Sequence, residues 1–362
     1  MKIRKYLSAL VIAAMSVSVL AACGNSTSSG DSGSATTQSS GTATTDAAQA
    51  DSGTTGQEET PVEVPEGSTA WTVTCPWAPS GVAAMVSQKA AALSPEYSDN
   101  IVLVATAEKG GAATINSWMM RVNEGDPELC FGGEGMFSIT SILDPELMNY
   151  TWEDFVFIDN LYSSIFVMSA NPDLGIESVD TLKAYLEQGN NVRVATNGAV
   201  GSEAFLATAL IGSMGYGDQL EIIPYESAAE SAQAVSRGET DLAVSHQSQI
   251  LETFQQGGVK MVCAFDGEDI DHGVFEGVEG VGKYGFPYFR NRCFILAKAG
   301  TSDADVQAIR QLYKDILSDA GMVEWLNDTM LLEADMLTTE EVEAHIENVK
   351  SIVEEYKDLM GE

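Results

Sequence analysis

Basic residues are scarce in this chain of 362 residues. Eighteen Lys and Arg stand against 53 Asp and Glu, a formal charge of −35. That balance excludes nucleic-acid binding, which needs a basic footprint, and docking onto an anionic membrane surface. It does not exclude a small anionic ligand, because charges on a protein surface are screened over about 8 Å at physiological salt. Histidine is scarcer still, limited to His246, His272 and His345. The zinc-peptidase H-E-x-x-H, the G-x-S-x-G nucleophile turn and the phosphate-binding loop are all absent, and no metal site or cofactor is expected. Five cysteines show no C-x-x-C spacing. Cys75, Cys130, Cys263 and Cys293 each sit in an apolar, strand-like context and are expected as buried free thiols. No stretch reaches the roughly 20 apolar residues of a membrane span.

What is present begins with a leader. Met1-Lys-Ile-Arg-Lys5, a short apolar run and Leu20-Ala-Ala-Cys23 describe a secretory signal over residues 1–22. Cys23 after Leu-Ala-Ala resembles the lipobox of bacterial lipoproteins, which implies lipidation of Cys23. Loss of the leader, with its three basic side chains, takes the formal charge to −38. Residues 23–68 follow as Ser, Thr, Gly, Ala, Asp and Gln without an aromatic residue. Such a composition buries too little to offset ordering entropy and is expected as a tether spanning about 35–40 Å.

The remainder is long enough for two lobes. Trp71–Pro76, Ile101–Val104 and Glu128–Phe131 read as strands, each followed by a Gly-rich turn and a helical stretch (Val82–Leu93, Ala112–Arg121, Phe137–Leu143). Such alternation indicates an α/β architecture with a parallel, doubly wound sheet. Trp152–Ile158 and Ile165–Ser169 are apolar strands with no helix between them, suggesting a crossing into a second lobe. There, strands Val192–Ala195, Ile222–Tyr225, Leu242–Ser245 and Val259–Ala264 alternate with helices. Cys293–Ala297 returns the chain. Ser302-x-x-Asp305 and Thr338-x-x-Glu341 are helix-start signals. The last helix carries Val342, Ile346, Val349, Val353, Tyr356 and Met360 on one face and is expected to dock on its own lobe. The lobes are assigned as 69–168 with 290–362, and 169–289, hinged near Ser169 and Cys293.

The candidate chemistry lies at helix starts. Gly81, Gly111 and Gly201 let backbone approach a ligand, and the first-turn amides behind them favour an anion. Ser80, Thr196, Asn197, Ser202 and Ser227 add neutral donors and acceptors. Gly280-Val-Gly282-Lys-Tyr-Gly285 matches a dinucleotide fingerprint literally, but Phe286-Pro287 denies it the helix that the fingerprint requires. His345 is expected to be solvated, His272 lies in a charged loop, and His246 faces the mouth with a structural or ligand-bonding role. A Ser202/His246/Asp241 triad can be drawn, but no spacing specifies it.

These residues resemble the periplasmic substrate-binding proteins of tripartite tricarboxylate transporters, the Bug receptors. The resemblance rests first on Ile223-Pro224-Tyr225, the Ala-rich helix after it, Gly238 and Asp241-Leu242. It extends to Pro76-Trp77-Ala-Pro79-Ser80-Gly81, to Thr196–Ser202, to Tyr150–Phe155 and to Ala297–Thr301. It implies a two-lobed periplasmic-binding-protein-like fold of type II. In such a fold each lobe is a doubly wound sheet, and a small solute, a carboxylate, is held in the cleft between them. It further implies delivery to membrane permease subunits, contact with the membrane through the lipid anchor only, and action as a monomer rather than as an enzyme. The expected ligand-binding set is Trp77, Ser80, Gly81, Lys109, Gly110, Gly111, Thr196, Asn197, Gly198, Gly201, Ser202, Tyr225, Glu226, Asp241 and Ser245. Glu226 departs from the family, which commonly has a basic or small residue there. The other readings are an exported hydrolase using Ser202 and a receptor serving a sensor.

Overall fold

Strand–helix units arranged as two sheets, with one strand of each arriving from the other lobe, make up the computed structural model. It describes Val64–Met360 apart from His272; the leader, Cys23 and nearly all of the tether lie outside those residues. The first lobe runs β1 (Thr69–Cys75), α1 (Val82–Tyr97), β2 (Ile101–Ala107), α2 (Ala112–Arg121) and β3 (Glu128–Gly133). A π-helical turn (Met136–Thr140) and the short α3 (Ser141–Leu143) lead to β4 (Phe155–Ser164). The second lobe follows as β5 (Phe166–Ala170), α4 (Val179–Glu187), β6 (Val192–Asn197), α5 (Ser202–Ser213), β7 (Leu220–Tyr225), α6 (Ala228–Ser236), β8 (Leu242–His246), α7 (Gln247–Gln255) and β9 (Lys260–Ala264). The chain returns as β10 (Asn291–Lys298) and ends in α8 (Asp303–Leu317), α9 (Ala320–Glu324) and α10 (Thr339–Tyr356).

Both sheets have five strands, in the orders β2-β1-β3-β10-β4 and β7-β6-β8-β5-β9. The strands flanking β1 and β6 are parallel to them, as βα units require. β10 and β5, which come from the opposite lobe, pair antiparallel to their neighbours, so each sheet is mixed. Pro224 is tolerated because β7 is an edge strand.

Ile165 alone separates β4 from β5. The first crossing therefore lies there and not near Ser169, which pairs with Ala243 inside the second sheet. Buried Asp159, Asn160, Ser163 and Ser164 interrupt the apolar pattern of β4, which hid the length of that strand. The return falls between Phe289, in the second lobe's core, and Asn291, paired with Ser164. Asp335 supports this hinge: its Oδ1 accepts from Asn160 Nδ2 (2.5 Å) and Ser163 Oγ (2.6 Å), and its Oδ2 from Arg292 Nη1 (2.6 Å).

The last helix corrects an expectation. Thr338 and Glu341 form its capping box, but its apolar face is shared between lobes. Val342 and Ile346 pack with Phe137, Phe155 and Phe294 of the first lobe, whereas Val349 and Val353 pack with Phe205 and Leu210 of the second. One continuous stripe in the sequence cannot reveal that it meets two partners. His345, on the same helix, is only partly exposed, and its Nε2 is buried without a partner; burial lowers its pKa to about 4. It is not the solvated side chain its helix edge suggested. Cys75, Cys130, Cys263 and Cys293 are buried and free. Among the described residues no helix is long and apolar enough to cross a membrane.

Candidate functional site

Because the strands preceding them end on the same side, several helices begin around one cleft between the lobes, the usual ligand position in open α/β sheets. The cleft holds about 390 Å³, within the range of small-molecule sites. Gly81 and Gly111, the N-caps of α1 and α2, line it from the first lobe. Gly201, Ser227 and His246, the N-caps of α5, α6 and α7, line it from the second. Of these five, only Ser227 accepts a hydrogen bond with its side chain, from Glu230 N. First-turn amides have no acceptor one full turn back in their own helix. At α2 Ala113 N and Thr114 N turn back to Gly110 O and Gly111 O (both 3.1 Å), and at α5 Glu203 N meets its own carboxylate, whereas no side chain caps the start of α1. At Gly111 the backbone has φ +55°, a conformation that favours glycine.

The floor is polar and unexpectedly acidic. Glu134 is fully buried and spans the lobes: it accepts from Ser202 Oγ of the second lobe (3.0 Å) and from Arg292 N (2.8 Å). Burial raises its pKa to about 7 against the pull of those donors. Glu203, in the first turn of α5 and 6% exposed, also rises to about 7, through burial and with the Glu134 charge adding to it. His246 Nδ1 lies 2.9 Å from Ser164 Oγ, to which Asn291 Nδ2 donates (3.1 Å), and its ring sits 4.7 Å from that of Phe166. Burial holds the imidazole neutral, with its pKa lowered to about 4. At the rim Lys109 of the first lobe pairs with Glu226 of the second. Both side chains are more than half exposed, so the pair is worth at most about 1 kcal/mol and is easily opened.

Of the residues proposed from the sequence, Trp77, Gly81, Lys109, Gly110, Gly111, Asn197, Gly201, Ser202 and Glu226 line the cleft. Six do not. Ser80 is exposed on the turn before α1. Thr196 is buried and donates to Gly198 O (2.8 Å), shaping the loop from behind, and Gly198 supplies its positive φ. Tyr225 packs against the second lobe's core beside Ala232 and Val235. Asp241 precedes β8, at the end opposite His246, where it pairs with Arg193. Ser245 is buried beneath the cleft surface with its hydroxyl unpartnered, since alternation along β8 turns His246 toward the cleft in its place. The triad is not assembled: Ser202 donates to Glu134, His246 meets Ser164, and Asp241 serves Arg193. Glu134, Glu203, Asn291 and Arg292 also line the cleft and were missed. The acid inside Gly132-Gly133-Glu134-Gly135 and the one after Gly201-Ser202 were the available signals, since a charge within a small-residue turn has little structural purpose. Gly280–Gly285 is not a phosphate loop. Gly280 N donates to Asp269 (3.0 Å) and Gly282 N to Asp266 O (3.0 Å), closing a local turn that buries Val281 in the second lobe's core. His272 is outside the described residues, and among those described no cluster of three or more His, Cys, Asp or Glu could hold a metal ion.

No family model matches the sequence. Protein BugT of Bordetella pertussis is 21% identical over 253 residues, covering 69% of this chain and 76% of that protein. Among solved structures, Rpa4515 of Rhodopseudomonas palustris with adipate superposes with a TM-score of 0.71 at 15% identity, over 81% of this chain and 98% of its own. MatC of the same organism, solved with bound malate, gives 0.67 at 17% identity, over 81% and 99%. At such identity the structural likeness establishes the fold, that of two-lobed periplasmic binding proteins.

Proposed function

We infer that the chain belongs to the Bug receptor family of tripartite tricarboxylate transporters and acts outside the cytoplasm as a solute-binding protein. Its cleft captures a small carboxylate between the lobes. The convergence of helix N-termini from both lobes carries this reading. A carboxylate accepting from the amides behind Gly81 and Gly111 gains charge-assisted hydrogen bonds without a formal cation. If the same solute also meets Gly201 and Ser202, it ties the second lobe to the first, so binding and closure share one free energy. Trp77 offers an apolar wall. Ile165 and the segment before Asn291 form the hinge, with α10 as a third connection. The relatives' solved complexes with malate and adipate support a carboxylate ligand. The leader and Cys23 support a lipid anchor, from which the chain hands its solute to permease subunits while remaining monomeric.

A thermal-shift screen tests this. A carboxylate present at 100 times its Kd adds about 2.7 kcal/mol of stability, roughly a 4 °C rise for a domain of this size. Mono- and dicarboxylates are expected to raise the melting temperature, while sugars and metal cations leave it unchanged. Silence from all carboxylates alongside stabilisation by a sugar would sink the reading. A hydrolase using Ser202 is not favoured, because that hydroxyl bonds a carboxyl and not a histidine.

A further inference from the structure

We propose that the solute carries an ammonium or comparable N–H-rich cationic group beside its carboxylate, and that Glu203, with Glu134 behind it, receives that group. The inference rests on the carboxylate reading above and narrows it to amino acids and related amino-carboxylates.

Glu203 lines the cleft and is 94% removed from solvent. Its carboxylate meets only its own backbone N–H and receives no hydrogen bond from another described residue. An ionised carboxylate has about four acceptor positions, and one left unpaired in a buried site is costly. Its neighbour Glu134 is a second carboxyl, already bonded to Ser202 and Arg292 N. Of the two cations of the cleft, Lys109 pairs with Glu226 at the rim, and Arg292 gives Nη1 to Asp335 while its buried Nε has no partner; no hydrogen bond joins either to Glu203. His246 is neutral and engaged with Ser164. Five charged residues thus line the cleft, two basic and three acidic; among the described residues neither Glu134 nor Glu203 forms an ion pair, although the Arg292 charge reaches Glu134. A solute bringing only negative charge would enlarge that excess. One bringing an ammonium to Glu203, and its carboxylate to the amides behind Gly81 and Gly111, meets complementary charge at both ends.

Matched pairs test the idea by titration calorimetry at neutral pH: glutamate against glutarate, aspartate against succinate, and γ-aminobutyrate against butyrate, on the wild type and on Glu203→Gln. In at least one pair the amino-bearing member is expected to bind the wild type about tenfold tighter or better, the scale of one charged hydrogen bond. That advantage should fall to about twofold in Glu203→Gln, whose unliganded form should melt no lower than the wild type because it has lost an unpaired buried charge. Tighter binding of the des-amino member throughout would overturn the inference while leaving the carboxylate reading intact; it would mean that Glu203 is protonated and donates to an oxygen. Binding by neither member of any pair would overturn this inference, and the carboxylate reading would then be decided by the wider thermal-shift screen. An amino-group preference that survives in Glu203→Gln would remove the role assigned to Glu203. Should that variant fold poorly, the wild-type comparison of the pairs still decides.

Discussion

The buried carboxyls of the cleft floor should be visible in the pH dependence of stability before any ligand is known. Glu134 and Glu203 move from the ordinary 4.5 to about 7. Between those values the native protein holds more protons than the unfolded chain, so stability falls as pH rises. At 1.36 kcal/mol per pH unit, each carboxyl contributes a loss of about 3 kcal/mol by pH 7, less for the two together because they interact. His246 and His345 oppose them. Lowered from 6.5 to about 4, they make stability rise from about pH 4 to pH 6.5. The two effects nearly cancel below pH 6.5, and above it only the carboxyls act. Urea denaturation of the unliganded protein across this range, for the wild type and for Glu134→Gln/Glu203→Gln, isolates the term, since the other acids contribute equally to both. The variant should gain on the wild type from pH 4.5 to above pH 7, by several kcal/mol in total. Parallel profiles would refute the reasoning, because they would mean that water reaches both carboxyls in the native state.

Other perturbations address the lobes and the hinge. A Cβ at Gly135 would lie 2.6 Å from Ser202 Oγ, so Gly135→Ala should break the Ser202–Glu134 bond and cost about 1–3 kcal/mol, read by thermal melting, with weaker solute binding. Asp335→Ala strips the acceptor from Asn160, Ser163 and Arg292; a loss of about 3 kcal/mol in chemical denaturation is expected, against almost none for an exposed acid. Glu226→Gln frees Lys109 at the rim and removes a like charge from the path of a carboxylate. Carboxylate affinity should rise about twofold to threefold by calorimetry, the scale of an exposed pair.

Much of this architecture was legible in the chain because local signals and tertiary demands agree. The α2 boundaries, the Ser302 cap and the Thr338–Glu341 capping box follow from side-chain chemistry at helix starts. The opening glycines of α1, α2 and α5 could be placed at the mouth for the same reason. What escaped depends on which end of a strand, or which partner, a residue meets. Asp241 and His246 bracket β8; His246, expected at the mouth, lines the cleft, but Asp241, expected there too, is carried to the opposite end by the length of the strand. The Val342–Val353 stripe reads identically whether it meets one lobe or two. Glu134 and Glu203 belong to different lobes, and no local pattern records the contact between lobes that places them in one buried site.

Solute capture as inferred requires a carboxylate to enter the cleft between the lobes. Calorimetric titration of the best stabilising carboxylate into the wild type and into Ala112→Trp, where the indole would project from the start of α2 on the cleft wall, tests this most directly. One site per chain in the wild type and none in the variant is the expected result. Equal binding to both proteins would contradict it.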